Sequence, residues 1–347
     1  EYWIGFQGIN MDSRFQNNFF AKDQILSLPL SQATGYKRAV INAGEIANKG
    51  IEASLSFVPV KTKNFTWDAS VNFAKNYNEV VKLHDEVKDF ELASARWANA
   101  SIYASEGQPY GVIVGKKLKR TEKGDVIFEN GLPTFDDKVS VLGNGNYDFT
   151  LGFRNAFTYK NLSMSVLFDM KFGADIYSMS AMQSHVNGTS KETLEGRQEW
   201  YSSEQKRQSA GVPAGNWIAT GGYVGKGVMA IKNDDGEMMY VPNNVCVDPA
   251  KYWQALQTTS PEPFIYDNSF VKLREISLSY TCPKKWFVHT PIESITLSAY
   301  GRNLLLIYSN VDNIDPESSY NNGNGQGFEY GSLPSRRTFG FGINVKF

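Results

Sequence analysis

The chain has 347 residues, a formal net charge of −1 and 41% hydrophobic residues. That balance creates no field for nucleic acid or an anionic membrane surface, and no apolar run approaches the ~18 residues of a membrane helix. Aromatic residues reach 14%, and two cysteines, Cys246 and Cys282, are too few for a disulfide framework.

In chain order, Tyr2, Ile4 and Phe6 alternate with Trp3, Gly5 and Gln7 as a short strand would, with residues 12–20 as its neighbour. Residues 23–49, with Pro29, Gly35 and Gly44, read as a loop. Ile51, Ala53, Leu55 and Phe57 then face one way and Glu52, Ser54 and Ser56 the other. After a connector at 59–64, Phe65, Trp67, Ala69, Val71 and Phe73 repeat the pattern. Residues 76–147 read as irregular, rich in Gly and charge.

The next hairpin has one apolar face of Phe149, Leu151, Phe153, Phe157 and Tyr159, and another of Leu162, Met164, Val166, Phe168, Met170 and Phe172. Only Lys160 and Asn161 separate them, a two-residue loop that sets register. That register predicts Tyr159 opposite Leu162, Phe157 opposite Met164 and Phe153 opposite Phe168, with Arg154 and Asp169 diagonally adjacent as an ion pair. Residues 173–268 lack alternation, with a short helix predicted over 192–204. Ile276, Leu278 and Tyr280 mark a strand over 270–280, whose phase breaks at Arg274 and Glu275 and so predicts either a bulge or a strand that changes environment on leaving the membrane. Ile295, Leu297 and Ala299 mark another strand, and a loop over 308–337 leads to the terminal TFGFGINVKF. There Phe339, Phe341, Ile343, Val345 and Phe347 occupy every second position.

A soluble sandwich strand also alternates. The connectors separate the two cases: those at 59–64, 160–161 and 281–293 are short, those at 76–147, 173–268 and 305–337 long, in strict alternation. An up-and-down membrane barrel with short periplasmic turns and long outer loops predicts this. Phe65, Trp67, Tyr159, Tyr280, Trp286 and Phe347 gather at the short-turn ends, as an interfacial girdle does. The expected fold is therefore all-β, an antiparallel transmembrane β-barrel. Seven clear strands and two weaker ones make an odd, small number, so further strands are expected before Glu1.

The stretches NAGEIANKGIEASLSFVPVKTKNFTWDASVNFAKNYNEVVKL, EGQPYGVIVG, LGNGNYDFTLGFRNAFTYKNLSMSVLFDMKFGADIYS, FIYDNSFVKLREISLSY, GRNLLLI, NIDPE and GFEYGSLPSRRTFGFGINVKF, in this order, resemble the C-terminal half of the SusC/RagA-like TonB-dependent transporters of Bacteroidota. The resemblance implies a 22-stranded barrel of which residues 1–347 are the C-terminal portion, and a plug domain and TonB-contacting segment upstream of it. It further implies a SusD-like surface lipoprotein as lid, TonB as energy partner, and glycan or peptide cargo in the outer membrane. Phe347, with the alternating residues from Phe339, resembles a barrel-assembly signal.

Among the loop aromatics, Trp97, Tyr103, Trp200, Tyr201, Trp217, Tyr223, Tyr240, Tyr252 and Trp253 are candidates for contact with substrate or lid. His84, His185 and His289 lie far apart without metal-ligand spacing, and no nucleophile elbow or phosphate loop appears, so no enzyme and no catalytic residues are expected. Asp234, Asp235 and Glu237, and Asp312, Asp315 and Glu317, have the hard oxygens that a structural Ca²⁺ takes, although a solvated acidic turn is the better reading of each. Cys246 and Cys282 are expected on opposite sides of the membrane and unbonded. Active import leads, a receptor or scaffold barrel binding a surface complex without transport is the alternative, and a loop hydrolase is disfavoured.

Overall fold

A computed structural model describes residues 44–83, 87–94, 99–232, 235–320 and 323–347 in full, and the backbone of 7–21, 25–29 and 38–42. Eight long strands form one sheet: β1 (Gln7–Ala21), β2 (Glu45–Lys61), β3 (Phe65–Lys82), β4 (Phe149–Tyr159), β5 (Leu162–Phe172), β6 (Phe270–Thr281), β7 (Ser294–Ser309) and β8 (Thr338–Lys346). Each pairs antiparallel with its neighbour in sequence, so the sheet is a meander with β1 and β8 at its edges. The seven clear sequence strands are all present. Residues 12–20 fall within β1, and the alternation at residues 2–6 lies outside the described residues. Residues 23–49 are not one loop: they contain the hairpin Ile25–Pro29 with Arg38–Asn42 and the start of β2.

The period-2 pattern dictates the faces, because a strand sends alternate side chains to opposite sides. One row runs Val60, Trp67, Phe157, Met164, Leu278, Ala299 and Phe341 across seven strands, apolar throughout. A second runs Leu55, Val71, Phe153, Phe168, Leu273 and Leu305. Within them the rings of Trp67 and Phe157 stack with centroids 5.8 Å apart, and those of Phe153 and Phe168 at 6.4 Å. The one carboxamide on this side of β4, Asn155, is buried and accepts the Trp67 indole N–H at 3.1 Å. The face is otherwise uncovered: Phe341 is 88% exposed and Ile343 73%. Water would penalise so wide an apolar surface, whereas lipid does not.

The opposite face is polar. Ser54 donates to Asn72 at 2.7 Å, and Arg302 pairs with Glu275 at 2.7 Å. Gly340 leaves room on this side for the tip of the Tyr300 ring, which would lie 2.4 Å from an added Cβ and would have to swing away.

The hairpin register is as predicted, from Tyr159 opposite Leu162 to Phe153 opposite Phe168. The bulge in β6 is also present, with shifts at Leu273/Glu275 against β7 and at Leu167/Phe168 against β5. Its effect is to turn Arg274 as well as Glu275 toward the polar face. This redirects the ion pairs: Asp169 takes the Arg274 guanidinium, while Arg154 donates to Ser165 Oγ at 3.0 Å. The expected Arg154–Asp169 pair is thus replaced, because the bulged arginine reaches Asp169 with two N–H groups.

Short turns and long connectors alternate as expected. The connectors themselves are not irregular. Asp89–Ser94, Ala100–Ser105, Val112–Leu118 and Phe135–Asn144 form a four-stranded sheet in the first. Ile127–Glu129 of the first pairs in parallel with Val228–Lys232 of the second, and Asp175–Ser178 of the second with Phe328–Glu329 of the third. Three connectors thereby form one body, a crown above the long-connector end of the sheet. Its core holds Ile102, Ile113, Tyr177, Met182, Leu256, Phe264 and Phe328, all buried.

Leu278→Lys in the full-length protein places a charge on the apolar face and is expected to cost about 2–4 kcal/mol of membrane-inserted stability. Ser277→Lys, one residue away on the polar face, should cost far less. Urea unfolding from lipid vesicles measures both.

Candidate functional site

The crown carries the candidate residues, and three helices position them. Helix α1 (Met179–Val186) starts at Ser178, whose hydroxyl accepts the Ala181 N–H at 3.0 Å. The buried Glu329 carboxylate closes the same terminus, taking the hydroxyls of Ser178 at 2.8 Å and Ser180 at 2.7 Å. An acid at a helix N-terminus meets unpaired N–H groups and the positive end of the dipole, which compensates its burial. Helix α2 (Arg197–Ser209) follows Gly196, and α3 (Pro249–Thr259) is capped by Asp248, which accepts the Ala250 N–H at 2.9 Å. The helix expected over 192–204 is therefore displaced: a short 3₁₀ turn, Lys191–Leu194, comes first, and Gly196 at φ 77° separates it from α2. A Cβ at Gly196 would lie 2.4 Å from the Tyr223 backbone nitrogen, so only glycine lets α2 and the 221–223 segment touch.

The nine candidate aromatics divide. Trp97 lies outside the described residues. Tyr103 stands in the sheet of the first connector, half-buried, its hydroxyl pushed up by burial and by Glu91 and Asp89. Tyr240 is exposed beside Met238 and Met239 on the edge strand Met238–Pro242. Tyr223, Tyr252 and Trp253 pack on one another, with ring centroids 4.4 Å apart for the tyrosines and 5.2 Å for Tyr252–Trp253. Burial holds the Tyr223 and Tyr252 hydroxyls above their usual value. These three are core-facing, although Trp253 also reaches the wall of a cleft.

Trp200, Tyr201 and Trp253 line one cleft of about 450 Å³, together with His185, Arg197 and Glu204. Trp200 and Trp217 line a second, of about 670 Å³. Trp200 is common to both.

His185, set aside in the sequence for want of ligand spacing, is a member of this cluster. Its ring packs on Trp253 at 4.4 Å and on Phe264 at 5.5 Å, with Nε2 2.6 Å from Glu192 Oε2. The seven-residue separation from Glu192 gives no local pattern, since a turn between helices brings the two together. His84 lies outside the described residues, and His289 sits in the short turn between β6 and β7.

A second constellation lies on the polar face. Lys272, buried, contacts Asp315 at 2.6 Å and Glu317 at 2.7 Å, and Arg274 reaches Glu317 at 2.7 Å and Asn303 at 2.7 Å. The third connector is thereby fixed to the sheet. Asp315 and Glu317 are thus committed to cations, which corrects the Ca²⁺ reading of those two. Asp312 is exposed, and Asp234 lies outside the described residues. Among the described residues no group of three or more metal-ligating side chains converges. Burial pushes the Asp315 carboxyl up, but hydrogen bonds from Lys272, Ser335 and backbone N–H groups outweigh it and hold it well below the usual carboxylate range. Glu317 is likewise raised by burial and lowered further by Arg274 and Lys272. Cys246, in the wall of the larger cleft, and Cys282, at the short-turn end of β6, are free thiols.

No family profile matches the chain. Over an alignment of 360 positions that covers 94% of the chain, it is 26% identical to TonB-dependent receptor P3 of Formosa agariphila, covering 31% of that protein. An alignment of 137 positions that covers 38% of the chain is 28% identical to the TonB-dependent receptor SusC of Bacteroides thetaiotaomicron, covering 13% of it. The RagAB peptide importer in its closed-closed state superposes over 94% of the chain and 32% of its own, with a TM-score of 0.62 and 17% identity, a likeness of fold. The resemblance read from the sequence is borne out, and the sheet is part of a TonB-dependent barrel fold. The chain spans about a third of the length of P3. These relatives are receptors and importers rather than enzymes.

Two outcomes follow from the geometry. Because the folded Asp315 and Glu317 carboxyls are depressed, their contribution is complete above the unfolded carboxylate range, about pH 4. It is lost only as pH falls further, through the folded values. Limited proteolysis of the third connector should therefore start only in strong acid, whereas Asp315→Asn, at a cost of about 2 kcal/mol, should show cleavage at neutral pH. Gly196→Ala should cost about 1–3 kcal/mol and loosen the 190–250 segment, read by hydrogen exchange.

Proposed function

We propose that this chain is the C-terminal part of the barrel of a SusC/RagA-like TonB-dependent transporter, which imports large nutrients, oligosaccharides or peptides, across the outer membrane of a Bacteroidota-like Gram-negative bacterium. The observation that carries this reading is the two-faced meander whose long connectors all gather at one end and fold into a single body. A pore for small solutes needs no such crown. A wide barrel that admits scarce, bulky cargo needs an outer surface on which to capture it and a lid to retain it.

The reading assigns eight strands to a barrel of 22, with the remaining strands, a plug and a TonB-contacting segment supplied by sequence outside these residues. The crown offers the seat for a SusD-like surface lipoprotein. Its exposed Ile218, Met238, Met239 and Tyr240 have the character of contact residues, being large and apolar on an otherwise polar rim. On this reading the long connectors face outward, the short turns face the periplasm, and lipid contacts the apolar rows. Transport itself needs no cofactor.

The terminal strand fits the same picture. β8 pairs with β7 and, among the described residues, with no other strand, and Phe339, Phe341, Ile343, Val345 and Phe347 are turned outward together. We assign them the role of an assembly signal, with β8 closing the barrel against its first strand.

Affinity purification of the tagged full-length protein from outer membranes should bring down a surface lipoprotein together with bound solute, identified by mass spectrometry. Solute uptake should stop when the proton-motive force is collapsed; uptake that persists would favour a receptor or scaffold barrel instead. Removing Phe347 should lower the amount of protein in the outer membrane several-fold while leaving uptake per assembled molecule unchanged.

A further inference from the structure

The net charge of −1 conceals an asymmetry between the two ends of the sheet. Residues 59–64, 160–161, 281–293 and 346–347 make up the short-turn end, and they hold six lysines against one carboxylate side chain, Glu293. Lys346 takes Glu293 at 3.0 Å. Lys61 lies opposite Thr66, so register turns it to the polar face. Lys63, Lys160, Lys284 and Lys285 stay in the turns themselves. All four are exposed, and none meets a carboxylate among the described residues.

Hydrogen bonds join the three turns into one rim. The Lys160 N–H donates to the Asn64 carbonyl at 2.8 Å, and the Thr281 N–H to the Asn161 carbonyl at 2.9 Å. The Asn161 carboxamide returns a bond to the Thr281 carbonyl at 2.7 Å. The four lysines are thus set along one edge instead of on independent loops. Like charges so placed repel one another, and an anion among them relieves the repulsion.

Their level against the apolar band identifies that anion. The last apolar row at this end runs Phe65, Tyr159, Leu162, Tyr280, Leu297 and Ile343. Lys63, Lys160 and Lys284 lie one to four residues beyond it along the chain, where hydrocarbon gives way to headgroups. Lys160 leans to the apolar side, its Nζ 5.3 Å from the centre of the Tyr159 ring. Past the same row Trp286 is 60% exposed and Val288 69%, on the turn that also carries Lys284 and Lys285. An indole beside lysines at the edge of an apolar band suits a bilayer interface, because a lysine stem lies along apolar surface while its head reaches polar ground.

We propose that this rim binds the headgroups of anionic phospholipids in the leaflet facing the short turns, with Lys63, Lys160, Lys284 and Lys285 on the phosphates and Trp286 and Val288 among the first acyl carbons. The inference rests on the outer-membrane reading for its setting, and adds a selection for charge within that setting. A lysine at an anionic surface is worth about fivefold in binding, so four select strongly even after salt has weakened each. The occupant is a lipid and not free phosphate, because the cations continue the apolar band and Trp286 offers nothing to an inorganic anion.

The test uses the purified full-length protein in nanodiscs of equimolar phosphatidylethanolamine and phosphatidylglycerol, with lipids retained on detergent extraction counted by native mass spectrometry. Phosphatidylglycerol should be enriched about tenfold or more. The enrichment should collapse at about 1 M salt, where the Debye length is about 3 Å. The combined changes Lys63→Gln, Lys160→Gln, Lys284→Gln and Lys285→Gln should abolish it, and Lys→Arg at the same four positions should keep it. Lys191→Gln with Lys251→Gln, in the crown, should change nothing. Where the fourfold variant fails to assemble, Lys284→Gln with Lys285→Gln should still lower the enrichment severalfold. Equal retention of both lipids by the unaltered protein overturns the proposal. So does enrichment that survives the glutamine changes, that inorganic phosphate displaces, or that gives way to capture of peptidoglycan fragments. Lysine-dependent selection in a protein that imports nothing sustains this site and counts against the import reading alone; uptake without lipid selection does the reverse.

Discussion

A sheet in hydrocarbon has no water to satisfy its backbone, so each N–H and C=O must find a partner on a neighbouring strand. The other features of this chain depend on that constraint. It favours sequential antiparallel pairing, since a meander reaches each neighbour through one short turn. It also fixes the side-chain period at two, because the same ladder that pairs the backbone sends alternate residues to lipid and lumen. The apolar rows through Phe157 and Met164, and the serine, asparagine and charge on the other side, are two results of one hydrogen-bonding requirement.

The crown obeys different rules. It stands beyond the lipid-facing band, and its stability comes from an ordinary buried core assembled from three connectors distant in sequence. Carboxylates then fasten that core at defined points: Glu329 at the start of α1, and Asp315 with Glu317 on the cations of β6. An outer body built in this way can change without altering the sheet beneath it, because its core and its fastening points are its own.

That division also explains which parts were legible in the sequence. The wall strands show long runs of alternation, and the Lys160–Asn161 turn determined its register unaided. The β6 bulge was visible as a break in phase at Arg274. The crown strands are two to ten residues long, too short for periodicity to show, and the pairings that join one connector to another span 100 residues or more, too distant for local propensity to help. The same reason hid His185: its partners Glu192, Trp253 and Phe264 arrive from three separate segments. The expected Arg154–Asp169 pair failed because residues were placed by register alone, whereas the competing Arg274 came from a strand whose phase the bulge had shifted. The acidic NIDPE stretch looked like a site for a metal ion since its carboxylates are close in sequence. Lys272 and Arg274, far away in the chain, are the cations that meet them.

The bulge has one more consequence. Val271 and Leu273 before it, and Ile276, Leu278 and Tyr280 after it, all point to the apolar side although their numbering changes parity. Arg274 therefore behaves as a frame-shifting residue between two half-strands. Pairing that residue in a regular ladder would turn one half inside out, setting either lysine against lipid or leucine against the lumen, whereas its deletion leaves Val271, Leu273, Ile276 and Leu278 in one frame and removes only the guanidinium on Asp169 and Glu317. Elsewhere in β6 a one-residue insertion or deletion flips every side chain beyond it to the other face, so this is the one place in the strand where a residue can be lost and the faces kept.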